Sequence, residues 1–221
     1  MKADVTSRDQ LDDLYRSTTE RFGRLDIVVN NAGAAGFGPV ATLQSKHWHR
    51  IQAVNLHALF ESCQAALPYL LATVDGNQSM SAAIVNVASV SGMAGDHGLA
   101  AYNAAKAGAL NFTRSLALEL APRRIRVNSI SPGAVDTPLA AATSGTPAIA
   151  SAFRTAIPIG RFGHPDEIAA AIAFLAADEA SFVTGANLAV DGGLTAGTGH
   201  PNMLQMFGDA WWTGREKATA D

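Results

Sequence analysis

One strand–loop–helix unit is contained in residues 83–106, which read AIVNVASVSGMAGDHGLAAYNAAK. The first six residues form a short and nearly continuous apolar run, which is typical of a parallel strand covered on both faces. A loop of small residues follows, and an alanine-rich helical pattern then runs from Tyr102 to Leu120. Because alternating strands and helices pack as a sheet between helical layers, this segment predicts an α/β protein.

The same alternation extends in both directions along the chain. Strand-like runs occupy residues 25–30, 125–130 and 186–190, and apolar residues recur with helical spacing over residues 11–22 and 47–71 and after Pro165. Thr6 or Ser7 can cap the first helix, and Gly23 is expected to end it. Parallel strands joined through helices require right-handed crossovers, so we predict an open parallel sheet.

Composition and charge exclude several classes of protein. The 221 residues are 48% hydrophobic and 16% charged, with a net charge of −3, so a sizeable core is expected and global disorder is excluded. No basic stripe points to nucleic acid, and the one cysteine, Cys63, excludes a disulfide framework and any multi-cysteine metal site. No apolar run is long enough for a membrane span, and residues 1–6 do not resemble a signal peptide, so we expect a soluble cytoplasmic protein with no membrane partner.

Polar and glycine-containing motifs follow three of the predicted strands. NNAG occupies residues 30–33, Ser89 follows the strand of residues 83–88, and PGAVDT occupies residues 132–137. The carboxyl ends of parallel strands meet at one edge of the sheet, and open α/β sheets bind their ligands there. We therefore predict a ligand site at this edge.

Tyr102 and Lys106 form a candidate acid/base pair. Positions i and i+4 share a helix face, so the Lys106 ammonium can lie close to the Tyr102 hydroxyl. A phenol has a pKa of about 10 and a nearby cation favours phenolate, so we expect the pKa of Tyr102 to be lowered. Tyr102 then becomes a general acid/base near neutral pH, and Ser89 can hold the oxygen of a reacting carbonyl or alcohol.

Together these motifs resemble those of the short-chain dehydrogenase/reductase family, whose members move a hydride between NAD(P) and a carbonyl/alcohol pair. The resemblance runs from residue 3 to about residue 193 and includes NNAG, Asn55, Ser89, the Tyr102/Lys106 pair, Pro132-Gly133 and Thr137. A YxxxK pair alone arises by chance, whereas the full set in this order is highly specific. The resemblance implies a Rossmann-like, doubly wound parallel sheet.

The resemblance also implies a role for each matching position. Tyr102 resembles the catalytic acid/base, Lys106 the residue that lowers its pKa and binds the nicotinamide ribose, and Ser89 the partner of the substrate oxygen. Asn55 resembles the helix residue that maintains a water-linked proton relay to the lysine. Besides Tyr102 and Lys106, the positions that resemble contacts to NAD or NADP are Asp4, Val5, Asn31, Ala32, Gly33, Pro132, Gly133, Val135 and Thr137.

One family feature has no counterpart in these 221 residues. Family members begin with a strand, a TGxxxGxG turn that holds the cofactor's pyrophosphate at a helix N-terminus, and a second strand. Here the pattern starts at the family's third strand, at residues 3–5, so we expect an N-terminally truncated sheet without the first two strands, a loss of roughly fifty to sixty residues. Residues 1–5 would then have no neighbouring strand, and residues 26–30 would lie at a bare, aggregation-prone edge.

Several residues also have purely structural interpretations. Asn55 can cap a kink in an apolar helix, Asn31 can satisfy backbone groups at a strand end, and Cys63 is expected to be a reduced core thiol. His47 and His49 point to different helix faces and have no third ligand nearby, so we predict no metal site.

Two functional hypotheses follow. The first is an NAD(P)-dependent oxidoreductase that interconverts a secondary alcohol and a ketone with the Ser89, Tyr102, Lys106 and Asn55 set. The second is a catalytically silent fragment that acts at most as an assembly partner, because the pyrophosphate-binding turn is missing. A native start upstream of Met1 is a further alternative. The choice between NAD and NADP stays open, because the family reads the ribose 2′ position at the end of the missing second strand.

The domain organisation is predicted to be simple. Residues 1–193 form an incomplete dinucleotide-binding and catalytic domain, and residues 194–221 form a tail that contacts another subunit, with Trp211 and Trp212 at that contact. Residues 193–202 are similar to tails of relatives that act on small diols and hydroxyketones. We expect a homo-oligomer, a tetramer or dimer built on the helices of residues 47–71 and 102–120. Residues 75–81 are predicted as a polar hairpin-like loop, and residues 137–151 as a flexible lid.

Overall fold

A four-stranded parallel sheet runs through the computed structural model, which describes residues 1–77, 81–140, 145–200 and 202–204. The strands are β1 (Ile27–Asn30), β2 (Ala82–Val87), β3 (Ile125–Pro132) and β4 (Asn187–Val190). They lie side by side in chain order, and each neighbouring pair is parallel. The predicted α/β class and the parallel sheet are confirmed.

Helices cover both faces of this sheet. They are α1 (Arg8–Phe22), α2 (Ser45–Gln52), α3 (Ala58–Gly76), α4 (Ala100–Leu120), α5 (Pro147–Ala156) and α6 (Pro165–Ala176). The largest apolar cluster lies between the sheet and α1, α3 and α4, and includes Leu70, Ile84 and Val127. A second cluster, with Ile130 and Leu175, packs α6 against the opposite face. The sheet is therefore wound on both sides.

Strand β1 forms one edge of the described sheet. Val28 faces the core, whereas Ile27 and Val29 are 47% and 42% exposed, because successive side chains of a strand point to opposite faces. The prediction of a bare edge at residues 26–30 is confirmed. The prediction that residues 25–30 are covered on both faces is wrong, since no described helix covers the face that Ile27 and Val29 share.

The segment before α1 is a turn and not the strand expected at residues 3–5. The Ser7 N–H donates to the carbonyl oxygen of Asp4, and the Asp4 side chain accepts from both the N–H and the hydroxyl of Thr6. A strand needs a neighbour to complete its backbone hydrogen bonds, and no strand among the described residues lies beside this segment. Ser7 occupies the N-cap position without a side-chain capping bond, and Gly23, at φ 78°, ends α1 as predicted.

The helix predicted over residues 47–71 is longer and is not uniform. It consists of α2 and α3 joined by a π-helical turn at Ala53–His57. The predicted loop at residues 75–81 is partly helical, since Asp75 lies in α3, and residues 78–80 lie outside the described part of the chain.

The predicted lid is also partly helical. Pro147 begins α5, because proline suits the first helical turn, and residues 141–144 are not among the described ones. The expected contact of Trp211 and Trp212 lies outside the described residues.

Candidate active site

The loops after β1, β2 and β3 all leave the same edge of the sheet, because the three strands are parallel. Ser89 follows β2 and opens a short 3₁₀ turn, where its Oγ accepts a hydrogen bond from the N–H of Ser91 at 3.1 Å. Tyr102 lies in the first turn of α4, one helical turn before Lys106. The fold therefore brings together the end of β2 and the start of α4.

The Ser89 side chain lies close to the Tyr102 phenol, but the balance of effects on the pKa of that phenol differs from our expectation. Burial raises the pKa of Tyr102, a hydrogen bond with the Ser89 side chain lowers it, and the negative charge of Asp96 raises it. The net pKa lies above the ordinary value. The expected lowering by Lys106 is wrong for this arrangement, because the ammonium lies 5.6 Å from the centroid of the Tyr102 ring and is hydrogen-bonded elsewhere.

Lys106 is a buried cation. Its side chain reaches the carboxyl end of β2, where Nζ donates to the carbonyl oxygen of Val87 at 2.7 Å, and the residue is only 4% exposed. Its hydrogen-bond acceptor is neutral, so the lost hydration of the ammonium is only partly replaced. Burial lowers the pKa of Lys106 to about 8.

Asn55 lies in the π-helical turn and makes three hydrogen bonds. Its Nδ2 donates to the carbonyl oxygens of Ala34 at 2.8 Å and Ile51 at 2.9 Å, and its Oδ1 accepts from the N–H of Ala34 at 3.2 Å. These bonds join the loop after NNAG to the helix. A π-helical turn is often found at a functional site, and here it lets Asn55 face the strand ends.

Gly33 lies close to the side chains of both Asn55 and Lys106. A Cβ atom at this position would lie 3.1 Å from Asn55 Oδ1 and 3.8 Å from Lys106 Nζ. The approach of the loop to Asn55 is therefore tight, and it is eased by the lack of a side chain at residue 33.

A cavity of about 110 Å³ connects several of the predicted cofactor positions. Its lining includes Val5, Asn31, Ala32, Asn55 and Lys106. The cavity thus extends from the segment before α1 to the buried ammonium, along the carboxyl end of β1.

A larger depression lies elsewhere. It has a volume of about 410 Å³ and is lined by Arg114, Pro122 and Gly185, none of which belongs to the predicted site. More polar side chains line the smaller cavity than this one, and they include Asn31, Asn55 and Lys106, so we place the candidate site at the smaller cavity.

The remaining predicted positions lie outside that cavity. Asp4 is exposed and is engaged with Thr6. The other positions lie at the end of β3 or just after it. Pro132 is the last residue of β3, and the N–H of Gly133 donates to the carbonyl oxygen of Val190 at 3.1 Å. Val135 forms a bridge with Gly163, and Thr137 Oγ1 accepts from the N–H of Ala140 at 3.3 Å. These four positions lie at the same carboxyl-terminal side of the sheet, two strands away from β1.

Gly92 is a site residue that the sequence analysis missed. A Cβ atom there would lie 2.7 Å from the backbone carbon and oxygen of Lys106. The turn that carries Ser89 therefore lies against α4 because residue 92 is glycine. The sequence hint for this contact is the run of small residues between Ser89 and Tyr102, but that run does not show which of its glycines lies against α4.

Cys63 lies in the core, as the sequence suggested. Cys63 is buried, and burial raises the pKa of its thiol to about 12, as expected for a reduced core thiol. Across the described ranges no three His, Cys, Asp or Glu side chains are grouped as metal ligands. Within the same ranges no helix is both long and apolar enough to span a membrane.

Comparison with known proteins identifies the class. A family model described as enoyl-(acyl carrier protein) reductase matches residues 1–195. The chain is 40% identical over 191 residues to the 3-oxoacyl-[acyl-carrier-protein] reductase FabG of Thermotoga maritima, covering 86% of this chain and 74% of that protein. It is also 40% identical over 202 residues to the meso-2,3-butanediol dehydrogenase of Serratia marcescens, covering 91% and 76%.

A solved structure supports the same assignment. A gluconate 5-dehydrogenase from Burkholderia cenocepacia, in complex with NADP and tartrate, matches with a TM-score of 0.82 at 31% identity, covering 88% of this chain and 74% of that one. The fold and the relatives define an oxidoreductase with a Rossmann-like sheet. This chain belongs to the short-chain dehydrogenase/reductase family.

Proposed function

We propose that the chain interconverts a secondary alcohol and a ketone by moving a hydride to or from NAD or NADP. The observation that carries the proposal is that Tyr102 lies one helical turn before the buried Lys106 on α4 and close to the Ser89 side chain, while Lys106 and Asn55 line the cavity at the end of β1. An acid/base group, an oxygen-binding hydroxyl and a cation are the groups that this reaction needs close together.

The residues around the cavity fit a nicotinamide cofactor. Val5, Asn31 and Ala32 line the same cavity as the Lys106 ammonium, and Gly33 lies close to that ammonium. We assign Asp4, Val5 and the Asn31–Gly33 segment to the adenosine side, Lys106 to the nicotinamide ribose, and Pro132, Gly133, Val135 and Thr137 to the nicotinamide end. When bound, the cofactor supplies the acceptor or donor of the hydride.

The protein's own residues handle the proton. The raised pKa keeps the Tyr102 phenol protonated, so in ketone reduction it donates its proton to the oxygen that becomes the alcohol. We assign Ser89 to that oxygen, because its side chain lies close to the Tyr102 phenol. In alcohol oxidation Tyr102 must first lose a proton, and Lys106 favours this when its ammonium leaves Val87 and turns toward the phenol.

Small hydroxylated molecules are the first substrates to test. Two relatives named above act, by their names, on 2,3-butanediol and gluconate, which are small polyols or hydroxy acids. The assay follows the absorbance of the reduced nicotinamide with a panel of secondary alcohols, diols and hydroxyketones, each with NAD and with NADP. Turnover that survives in Tyr102→Phe at wild-type rate would contradict the proposal.

A catalytically silent assembly partner is the second candidate, and β1 favours it. The exposed Ile27 and Val29 side chains lie on a strand that, within the described part of the chain, pairs with another strand on one side only. The 221 residues also contain no TGxxxGxG turn. Calorimetric titration of the purified chain with both cofactors separates the candidates, because a silent partner shows no binding at micromolar concentration.

We also propose that the chain is a homo-oligomer that uses α3 and α4. Phe60 on α3 and Leu118 on α4 are exposed, and Phe60 forms an edge-to-face contact with Phe112 of α4. Exposed apolar side chains on neighbouring helices are typical of subunit contacts. Sedimentation analysis of wild type and Leu118→Glu tests this proposal, and a wild-type monomer would contradict it.

A further inference from the structure

Five polar side chains form a continuous hydrogen-bonded chain through the core, which we call the polar chain. Its contacts are Tyr15 Oη to Ser62 Oγ at 2.6 Å, Ser62 Oγ to Asn30 Oδ1 at 2.5 Å, Asn30 Nδ2 to Asn86 Oδ1 at 2.9 Å, and Asn86 Nδ2 to Thr113 Oγ1 at 3.0 Å. Thr113 Oγ1 then donates to the carbonyl oxygen of Ala109 at 2.8 Å. The polar chain joins α1, α3, β1, β2 and α4.

The donors of the polar chain point in one direction. Ser62 gives its single hydroxyl hydrogen to the acceptor Asn30 Oδ1, so it must accept from Tyr15. Burial raises the pKa of Tyr15, which keeps that phenol protonated and able to donate. Thr113 likewise gives its hydrogen to Ala109 and accepts from Asn86. Each side chain after Tyr15 therefore accepts a hydrogen bond from the preceding one and donates to the following group, so the direction of every bond in the polar chain is set.

The polar chain ends next to the contact that holds Lys106. Asn86 and Val87 are consecutive residues of β2, and Thr113 and Lys106 are seven residues apart on α4, which places them on one helix face. Helix α4 is thus attached to the end of β2 at two points, Asn86 to Thr113 and Val87 to Lys106. The first attachment uses groups that lie outside the proposed acid/base set.

We propose that Asn86 and Thr113 are positioning residues for Lys106: their hydrogen bond fixes how α4 lies against the end of β2, and with it the place of the ammonium beside Gly33 and Asn55. An apolar pair at these positions would allow the helix to slide, because apolar contacts have no direction, whereas a buried hydrogen bond does. The kinetic consequence rests on the proposed function, and the placement of Lys106 does not.

The test removes the Thr113 hydroxyl and measures the pKa of Lys106. Thr113→Val keeps the shape and removes the acceptor of Asn86, and Thr113→Ser keeps the hydroxyl. Thr73→Val is the matched control, because Thr73 Oγ1 also donates to a backbone carbonyl, that of Leu25 at 2.8 Å, but lies at the other end of the sheet. The readout is the NMR titration of the Lys106 ε-carbon in the full chain, with an expected wild-type midpoint of about 8.

In Thr113→Val we expect the midpoint to rise by about half a pH unit or more, because a displaced ammonium gains water. Thr113→Ser should restore the wild-type midpoint, and Thr73→Val should leave it unchanged at a similar loss of thermal stability. An unchanged midpoint in a folded Thr113→Val would overturn the proposal and make the polar chain purely structural. Should that variant not fold, Thr113→Cys, which keeps a weak acceptor, is expected to show a smaller shift of the same sign.

The kinetic arm separates this proposal from the proposed function. If the chain turns over substrate, Thr113→Val should lower kcat about tenfold and move the pH profile of alcohol oxidation, with recovery in Thr113→Ser. A shifted Lys106 midpoint in a chain without any turnover would support the positioning role and contradict the proposed function. The positioning role would be contradicted if activity fell only in proportion to the folded fraction while the titration midpoint of Lys106 stayed unchanged.

Discussion

Lys106 Nζ lies 2.7 Å from the carbonyl oxygen of Val87, so the cation of the proposed site is held by a neutral partner at the end of β2. A buried ammonium that is not paired with a carboxylate is costly, and burial lowers its pKa from the ordinary 10.5 to about 8. This difference corresponds to about 3 kcal/mol of unfavourable free energy while the side chain is charged. The fold therefore retains a destabilising residue at the candidate site.

Replacing Lys106 with methionine should make the protein more stable and less active. Methionine has a similar length and no charge, so the variant loses the cost of burying the ammonium together with one hydrogen bond. We expect the free energy of unfolding at pH 7 to rise by about 1–3 kcal/mol and turnover to fall by about 10² or more. Urea denaturation and the nicotinamide assay measure the two effects.

The matched control for this change is Lys46→Met. Lys46 is exposed at the start of α2, so its replacement should alter stability by less than about 0.5 kcal/mol. A Lys106→Met protein that is less stable than wild type would show that the ammonium is better solvated than its burial indicates.

The stability of the wild-type protein should increase as the pH rises from about 8. The pKa of Lys106 is lowered in the folded state, so above about 8 the folded protein has released this proton while the unfolded chain keeps it up to about 10.5. The unfolded state then binds more protons, and stability rises with pH. Below about 8 both states are protonated, and the contribution is constant.

The difference between wild type and Lys106→Met isolates this effect. The buried Cys63 thiol has its pKa raised from 9.0 to about 12, so it opposes the trend from pH 9 upward, because the folded state then holds the extra proton. The measurement is therefore the free energy of unfolding between about pH 7.5 and 9. If both proteins show parallel curves in this window, the assigned burial of Lys106 is wrong.

The fold was largely predictable from the sequence, because its signals are local. The mostly apolar sequence of β2 reflects burial on both faces of a strand, and the helical spacing of apolar residues in α4 reflects burial on one face of a helix. Residues 3–5 were predicted as a strand by resemblance alone and form a turn, since a strand also requires a partner that local sequence does not supply. The π-helical turn at Asn55 depends on hydrogen bonds to Ala34, which lies far away in the sequence.

The position of the predicted site residues in the fold could be anticipated from the sequence, but their electrostatics could not. The family resemblance rests on the spacing of Ser89, Tyr102, Lys106 and Asn55. The structure places these residues near the carboxyl ends of the strands. The pKa of Tyr102 was expected to be lowered and is raised, because helical spacing indicates a shared face but not which acceptor a long lysine side chain reaches. The acceptor that Lys106 reaches depends on its burial and on the position of the Val87 carbonyl, and both arise from tertiary packing.

Replacing Gly92 with alanine should displace the turn that carries Ser89. The added Cβ would lie 2.7 Å from the backbone of Lys106, and backbone atoms of a buried helix cannot move aside cheaply. We expect a loss of about 1–3 kcal/mol in stability and a fall in kcat, since Ser89 moves away from Tyr102. Gly95→Ala is the control, because nothing lies within 4 Å of a Cβ there, and it should leave both quantities unchanged. Equal effects of the two changes would mean that the turn is free to shift.

Tyr102→Phe should reduce kcat by about 10² or more while leaving the fold intact, because it removes only the hydroxyl that transfers the proton. The raised pKa of Tyr102 means that the hydroxyl is protonated at neutral pH, so ketone reduction loses its proton donor directly. Tyr69→Phe removes a hydroxyl from a half-buried tyrosine of α3 and should leave turnover unchanged. The measurement is kcat in both directions, with thermal unfolding as the check that each variant is folded. Retention of more than about a third of the wild-type kcat in Tyr102→Phe would remove Tyr102 from the acid/base role, because general acid/base catalysis contributes far more than that factor.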